Sequence, residues 1–242
     1  MNIKLWHVVV FVLALVAFAI ARAPASIVPQ RGDAFTYVRA TGTVWDGALE
    51  GVRIGNYAVD TLTWRISALD LVQGKIVAPL RFSGEIEGEA TLLGNWHGDR
   101  RIVVARARVK GLPLGGVVLG GETHIAGLDI FFANGVCTRA SGQLRSDVMA
   151  RAGQALRFAG PDLVGVAVCE GEDALIQLDG QSADSGRVSA ALRLRGNGAG
   201  EWRVSIEGAS DEAITALGAA GFERDTALDA LVRREDLTWL PF

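Results

Sequence analysis

The sequence predicts a mainly β protein. A single N-terminal transmembrane helix is followed by an antiparallel domain, a curved open sheet or sandwich, with one or two short helices near the C-terminus. Three observations carry this expectation. Apolar and polar residues alternate with period two in segment after segment. The 242 residues include 30 Gly and 6 Pro, which punctuate short strands rather than long helices. The first segment is a continuous apolar run.

That run extends from Leu5 to Ala21, with His7 as its polar residue, Lys4 before it and Arg22 after it. At 1.5 Å per residue, the run and its interfacial flanks span a hydrocarbon core of about 30 Å. Trp6 suits the headgroup zone at its edge. The run is longer than the core of a secretory signal peptide, which favours a retained anchor. Cleavage after Ala21 or Ala25 is the alternative, since small residues flank both positions. Either way the rest of the chain is exported. The expected organisation is residues 1–22 as anchor, 23–34 as a linker bearing Pro24 and Pro29, and 35–242 as one β-rich domain.

The alternation then defines strands. Leu80, Phe82 and Ile86 alternate with Arg81, Ser83, Glu85 and Glu87. Val103, Ala105, Ala107 and Val109 alternate with Val104, Arg106, Arg108 and Lys110. Leu128, Ile130 and Phe132 share one parity, as do Val188, Ala190, Leu192 and Leu194, and again Trp202, Val204 and Ile206. Each reads as a strand with one dry and one wet face. Gly196-Asn197-Gly198 between the last two is a hairpin turn signal. Ser67 to Val72 reads as a short helical turn. Ser210 is placed to cap a helix to Leu217, ended by Gly218, and Thr226 to cap another through Leu231.

Composition excludes several functions. There are 24 basic and 27 acidic residues, net −3, so the chain is not a generally basic nucleic-acid binder. Only 3 His and 2 Cys are present, too few for a Cys/His zinc site or a dense disulfide framework. Cys137 and Cys169 are expected to form a disulfide, being an even pair in an exported region. Two separate buried thiols are the alternative. His97 reads as a turn residue and His124 as the wet face of a strand beside Glu122. Glu85 and Glu87 fit a solvated strand face better than a glycosidase pair. No catalytic, metal-binding or cofactor-binding set is expected.

One constellation is not generic: Gly42-Thr43-Val44-Trp45-Asp46-Gly47, then Leu62-Thr63-Trp64, then a Leu-rich segment closed by Gly74. Physically, Asp46-Gly47 reads as a tight turn ending a strand, and Trp64 as a core aromatic with Leu62 and Ile66. Together with the N-terminal run, this string resembles the type II secretion system protein N family, most specifically over residues 40–75. The resemblance implies a bitopic inner-membrane protein with a periplasmic domain. It also implies a non-enzymatic, cofactor-free accessory role in exporting folded proteins across the outer membrane. Its partners would be other secretion-system subunits of the inner membrane or periplasm, and membrane lipid through the N-terminal helix. Gly42, Trp45, Asp46, Gly47, Trp64 and Gly74 are the matching motif positions, and each is expected to be structural. A looser likeness to AsmA-type periplasmic proteins implies, as the alternative, a lipid-binding or lipid-transfer module.

Overall fold

A computed structural model describes residues 18–19, 21–29, 35–114, 117–156, 160–182, 186–208, 214–215, 217–218 and 221–238. Their architecture is one 15-stranded antiparallel open sheet. The strands are β1 (Phe35–Thr36), β2 (Arg39–Gly42), β3 (Asp46–Ile54), β4 (Tyr57–Arg65), β5 (Lys75–Gly84), β6 (Ile86–Asn95), β7 (Arg100–Leu114) and β8 (Val117–Ala133). They continue with β9 (Val136–Ser146), β10 (Leu163–Glu170), β11 (Asp173–Gln181), β12 (Arg187–Leu194), β13 (Ala199–Glu207), β14 (Glu223–Asp225) and β15 (Ala230–Thr238). Each strand from β3 to β13 pairs with its sequence neighbour, then β15 follows β13 and β14 closes the far edge. The short β1 and β2 share the free edge of β3. Two helices interrupt the meander, α1 (Ala68–Val72) and α2 (Val148–Leu156).

The pleat sorts side chains by face, as period two requires. One inward row runs Trp64, Leu80, Ala90, Val104 and Leu128 across β4 to β8. The adjacent outward row runs Thr63, Arg81, Glu89 and Arg106. The inner face gathers into three cores. The first holds Leu49, Val52, Val59 and Trp64 with Ala25. The second holds Leu128, Ile130, Phe132, Leu144, Ala167, Ile176 and Leu194. In the third, Met149 of α2 packs with Leu163, Val188, Val204, Ile206, Leu217, Phe222 and Leu231. Full burial of one such side chain stabilises the fold by about 1.5–3 kcal/mol.

The sheet is curled rather than flat. Arg100 at the start of β7 donates from Nη1 to the carbonyl of Gly196, between β12 and β13, at 2.7 Å. Five strand spacings would separate these groups by about 24 Å in a flat sheet. The curl brings β7 through β12 around the second core and selects the curved open sheet over a sandwich.

Four expectations need correction. Leu80 to Glu87 is not one strand: β5 ends at Gly84, whose φ of +122° turns the chain, and β6 begins at Ile86. Val104, not Val103, faces the core, because the register shifts where Glu89 and Ala90 meet Arg106 and Val104. Ala105 is the extra residue of that bulge, and one inserted residue flips the parity of what precedes it. Thr226 caps no helix: residues 226–229 form a turn and Ala230–Thr238 is β15, which carries Leu231 into the third core. Asp46-Gly47 does not end a strand but begins β3, and the turn is Thr43 to Trp45. The proposed Ser210 cap lies outside the described residues, although 214–215 and 217–218 are helical. Helix α2 was not expected from the sequence. Its signal was present in Asp147, whose carboxylate accepts from Arg151 Nε one turn later at 2.7 Å.

The outer face carries an acid-sensitive pair. Asp129 accepts from Arg101 Nε at 2.7 Å and Nη2 at 2.8 Å, with Arg139 at 3.6 Å. The Arg101 hydrogen bonds hold the Asp129 carboxyl below its ordinary value, outweighing its partial burial. A depressed folded pKa contributes stability that is complete above the unfolded carboxylate value. It is lost as pH falls through the folded value. Asp129→Asn is therefore expected to flatten the loss of stability below about pH 4, measured as urea midpoints against pH. An unaltered pH profile would exclude this pair as a source of acid sensitivity.

Candidate functional site

The unusual string folds into a clasp. Gly42 ends β2 with φ +82°, and a Cβ there would sit 2.4 Å from the Asp46 carbonyl, so only glycine fits. Thr43 N–H donates to the Asp46 carbonyl at 2.9 Å and closes the turn. The Thr43 hydroxyl oxygen accepts from the backbone N–H groups of Trp45 at 3.3 Å and Asp46 at 3.2 Å. The Trp64 ring lies against Gly47, where a Cβ would meet it at 2.4 Å. Its indole N–H donates to the Val44 carbonyl at 2.9 Å. Asp46 pairs with Arg65 at 3.1 Å, an exposed contact of little energetic weight. Gly74, at φ +77°, turns the chain out of α1 into β5.

The clasp holds the N-terminal segment. Val44 N–H donates to the Ala23 carbonyl at 3.0 Å, and Pro24 bridges Thr43. Ala25, in a 3-10 turn over Ala25–Ile27, is buried in the first core. Arg22 N–H donates to the Phe18 carbonyl at 3.0 Å, an i to i−4 helical bond. The proposed anchor, residues 5–21, lies outside the described residues except for 18, 19 and 21. Among the described residues no helix is long and apolar enough to cross a membrane.

Two further features were not legible in the sequence. At the end of the sheet bearing the clasp, the turns converge: Asn134 N–H donates to Asp99 Oδ1 at 3.3 Å, and Cys137 N–H to the Glu172 carbonyl at 2.8 Å. A polar cleft of about 530 Å³ is bordered by these turns, and His97, Arg100, Glu172, Asp173 and Asn197 line it. On the inner face, β6 has no fully buried residue, only half-buried ones and the exposed Glu89, although it carries Ile86, Ala90 and Leu92. The inward apolar row is therefore partly open between the first and second cores.

The remaining candidates are placed in ordinary roles. His97 is exposed in the β6–β7 turn, and His124 Nε2 lies 3.2 Å from Glu122 on the outer face. Glu85 accepts from Ala58 N–H at 2.6 Å, and Glu87 from Lys110 Nζ at 2.8 Å. Arg108 pairs with Glu122, and Arg193 with Glu170 and Asp173, so the outer arginines are largely neutralised within the sheet. Cys137 and Cys169 are bonded, with Cα atoms 5.7 Å apart. Among the described residues no group of three or more His, Cys, Asp or Glu could hold a metal ion.

No curated protein and no solved structure matches the chain. Residues 34–227, well over half of it, match the family described as type II secretion system (T2SS), protein N. The clasp and the whole meander through β14 fall within that match, so the chain belongs to the type II secretion system protein N family.

Proposed function

We propose that the protein is a non-enzymatic accessory component of the type II secretion apparatus, anchored in the inner membrane by residues 1–22. The bulk of the chain, residues 35–242, stands in the periplasm and supports export of folded proteins across the outer membrane. Its partners are other secretion-system subunits of the inner membrane or periplasm. The observation that carries the reading is the seating of Ala23 and Pro24 on the clasp within a chain of this family. Cleavage after Ala25 would remove the residues that fill this seat, whereas a retained helix uses it as a firm joint to its domain. Gly42, Trp45, Asp46, Gly47, Trp64 and Gly74 build or adjoin that joint and act structurally.

Removing the chain from cells that keep the rest of the apparatus is expected to lower export of several secreted proteins at once. Those proteins should remain folded in the cell envelope. Export at an unaltered rate refutes the accessory role. Intact mass of the membrane-extracted protein tests the anchor, and loss of the first 21–25 residues would replace it with a cleaved leader.

A second reading, lipid binding, is favoured by the partly open apolar row over β6. Phospholipid extracted with the purified protein would support it, and a lipid-free protein would count against it.

A further inference from the structure

We propose that the end of the sheet bearing the clasp is a membrane-facing surface, with Leu69, Val72, Ile76 and Trp96 entering the headgroup region of the bilayer. This rests on the anchor reading above and adds the orientation of the domain. Helix α1 has no buried residue, yet Leu69 is 71% and Val72 88% exposed. Three residues apart, they share one face of the helix. A five-residue helix has no independent stability, so an exposed apolar face there is not explained by local packing. Trp96, 75% exposed, stands beside them, because its N–H donates to the Gly74 carbonyl at 3.3 Å. Ile76, 40% exposed, is the second residue of β5, after the exposed Lys75. Exposed large apolar side chains gathered at one end of a sheet mark an interaction surface rather than scattered surface residues.

The position of the N-terminal segment names the occupant. Only Arg22 separates the apolar run from Ala23, whose carbonyl is held by Val44. The Trp45 carbonyl in turn accepts from Ile66 N–H, and Ser67 Oγ caps α1 by accepting from Asp70 N–H at 3.3 Å. A short hydrogen-bonded path thus runs from the anchor joint to the patch along one end of the sheet. A bilayer that holds residues 5–21 lies against that end. An exposed tryptophan with aliphatic neighbours and a lysine is the composition that settles into headgroups. The turn at Asn56 closes the other end of the β3–β4 hairpin, about 30 Å away along the strands.

The test uses the full chain in vesicles of phosphatidylethanolamine and phosphatidylglycerol. Leu69→Cys, Val72→Cys and Asn56→Cys each receive an environment-sensitive fluorophore, the native cysteines being bonded to each other. Lipids carrying a quencher near the headgroup are expected to reduce emission at 69 and 72 at least about twofold more than at 56. Trp96→Ser should leave vesicle flotation intact and weaken the quenching at 72. Equal quenching at all three positions in protein that floats with the vesicles overturns the orientation and leaves the anchor standing. Protein that does not float overturns both.

Discussion

Trp64→Ala is expected to destabilise the folded protein by about 3–5 kcal/mol, the range for removing a large buried aromatic. Trp64 is 9% exposed and packs in the first core with Leu49, Val52 and Val59. Its loss opens a cavity and also leaves the Val44 carbonyl without the indole donor. Trp64→Phe refills part of the volume but not the hydrogen bond, and should recover all but about 1–2 kcal/mol. Gly47→Val attacks the same contact from the other side, since a Cβ there lies 2.4 Å from the ring. Urea unfolding followed by circular dichroism reads all three. A second readout isolates the clasp: limited proteolysis should cut within residues 23–34 faster in Trp64→Ala, because the Ala23 carbonyl is held by the turn that Trp64 supports. Wild-type midpoints and cutting rates would show that the ring does not organise this joint.

Loss of the Cys137–Cys169 bond is the second large expected effect. Closing a loop with a sequence separation of 32 stabilises by about 3–4 kcal/mol on the chain-entropy account. For a chain of this length, that is a fall in Tm of about 10 °C. The location makes the bond matter locally as well. Strands β9 and β10 pair through residues 143–146 and 163–166, and the disulfide joins the start of β9 to the end of β10 beyond that ladder. Cys137→Ser/Cys169→Ser should therefore lower the thermal midpoint and speed amide exchange at the start of β9. An unchanged midpoint would mean that Ile130, Phe132 and Ile176 hold the second core without it.

The sequence was readable wherever a local rule governs the outcome. Leu80 and Phe82 alternate with Arg81 and Ser83 because successive side chains of a strand point to opposite faces, and the structure places them so. Gly196 to Gly198 turns the chain because glycine tolerates what other residues do not. Where a single insertion breaks a rule, residue alternation alone misplaces the faces. Ala105 reverses the parity of Val103 and Val104, and nothing in the residues themselves marks the bulge. At Thr226 a polar residue before an apolar stretch fits a helix cap and a turn into a strand equally well. Pairing of Ala230 to Thr238 with β13 decided it.

The clasp shows the same division. Its residue types announced a tight turn and a packed aromatic from the sequence. That the turn spans Thr43 to Trp45, and that it grips Ala23, depends on atoms brought together across the chain. The patch of Leu69, Val72, Ile76 and Trp96 has no sequence period at all. It exists because the β6–β7 turn lies beside the α1–β5 turn.

By itself the sequence determined the β class, the dry and wet faces of β5, β8, β12 and β13, the apolar N-terminal run and the family. These follow from side-chain periodicity, glycine conformational freedom and a short specific string, all properties of neighbouring residues. The tertiary structure alone decided that the strands form one curled sheet, which of its ends receives the N-terminal segment, and which apolar residues stay exposed. Those outcomes depend on long-range register and curl, where contacts such as Arg100 with Gly196 join residues far apart in the chain.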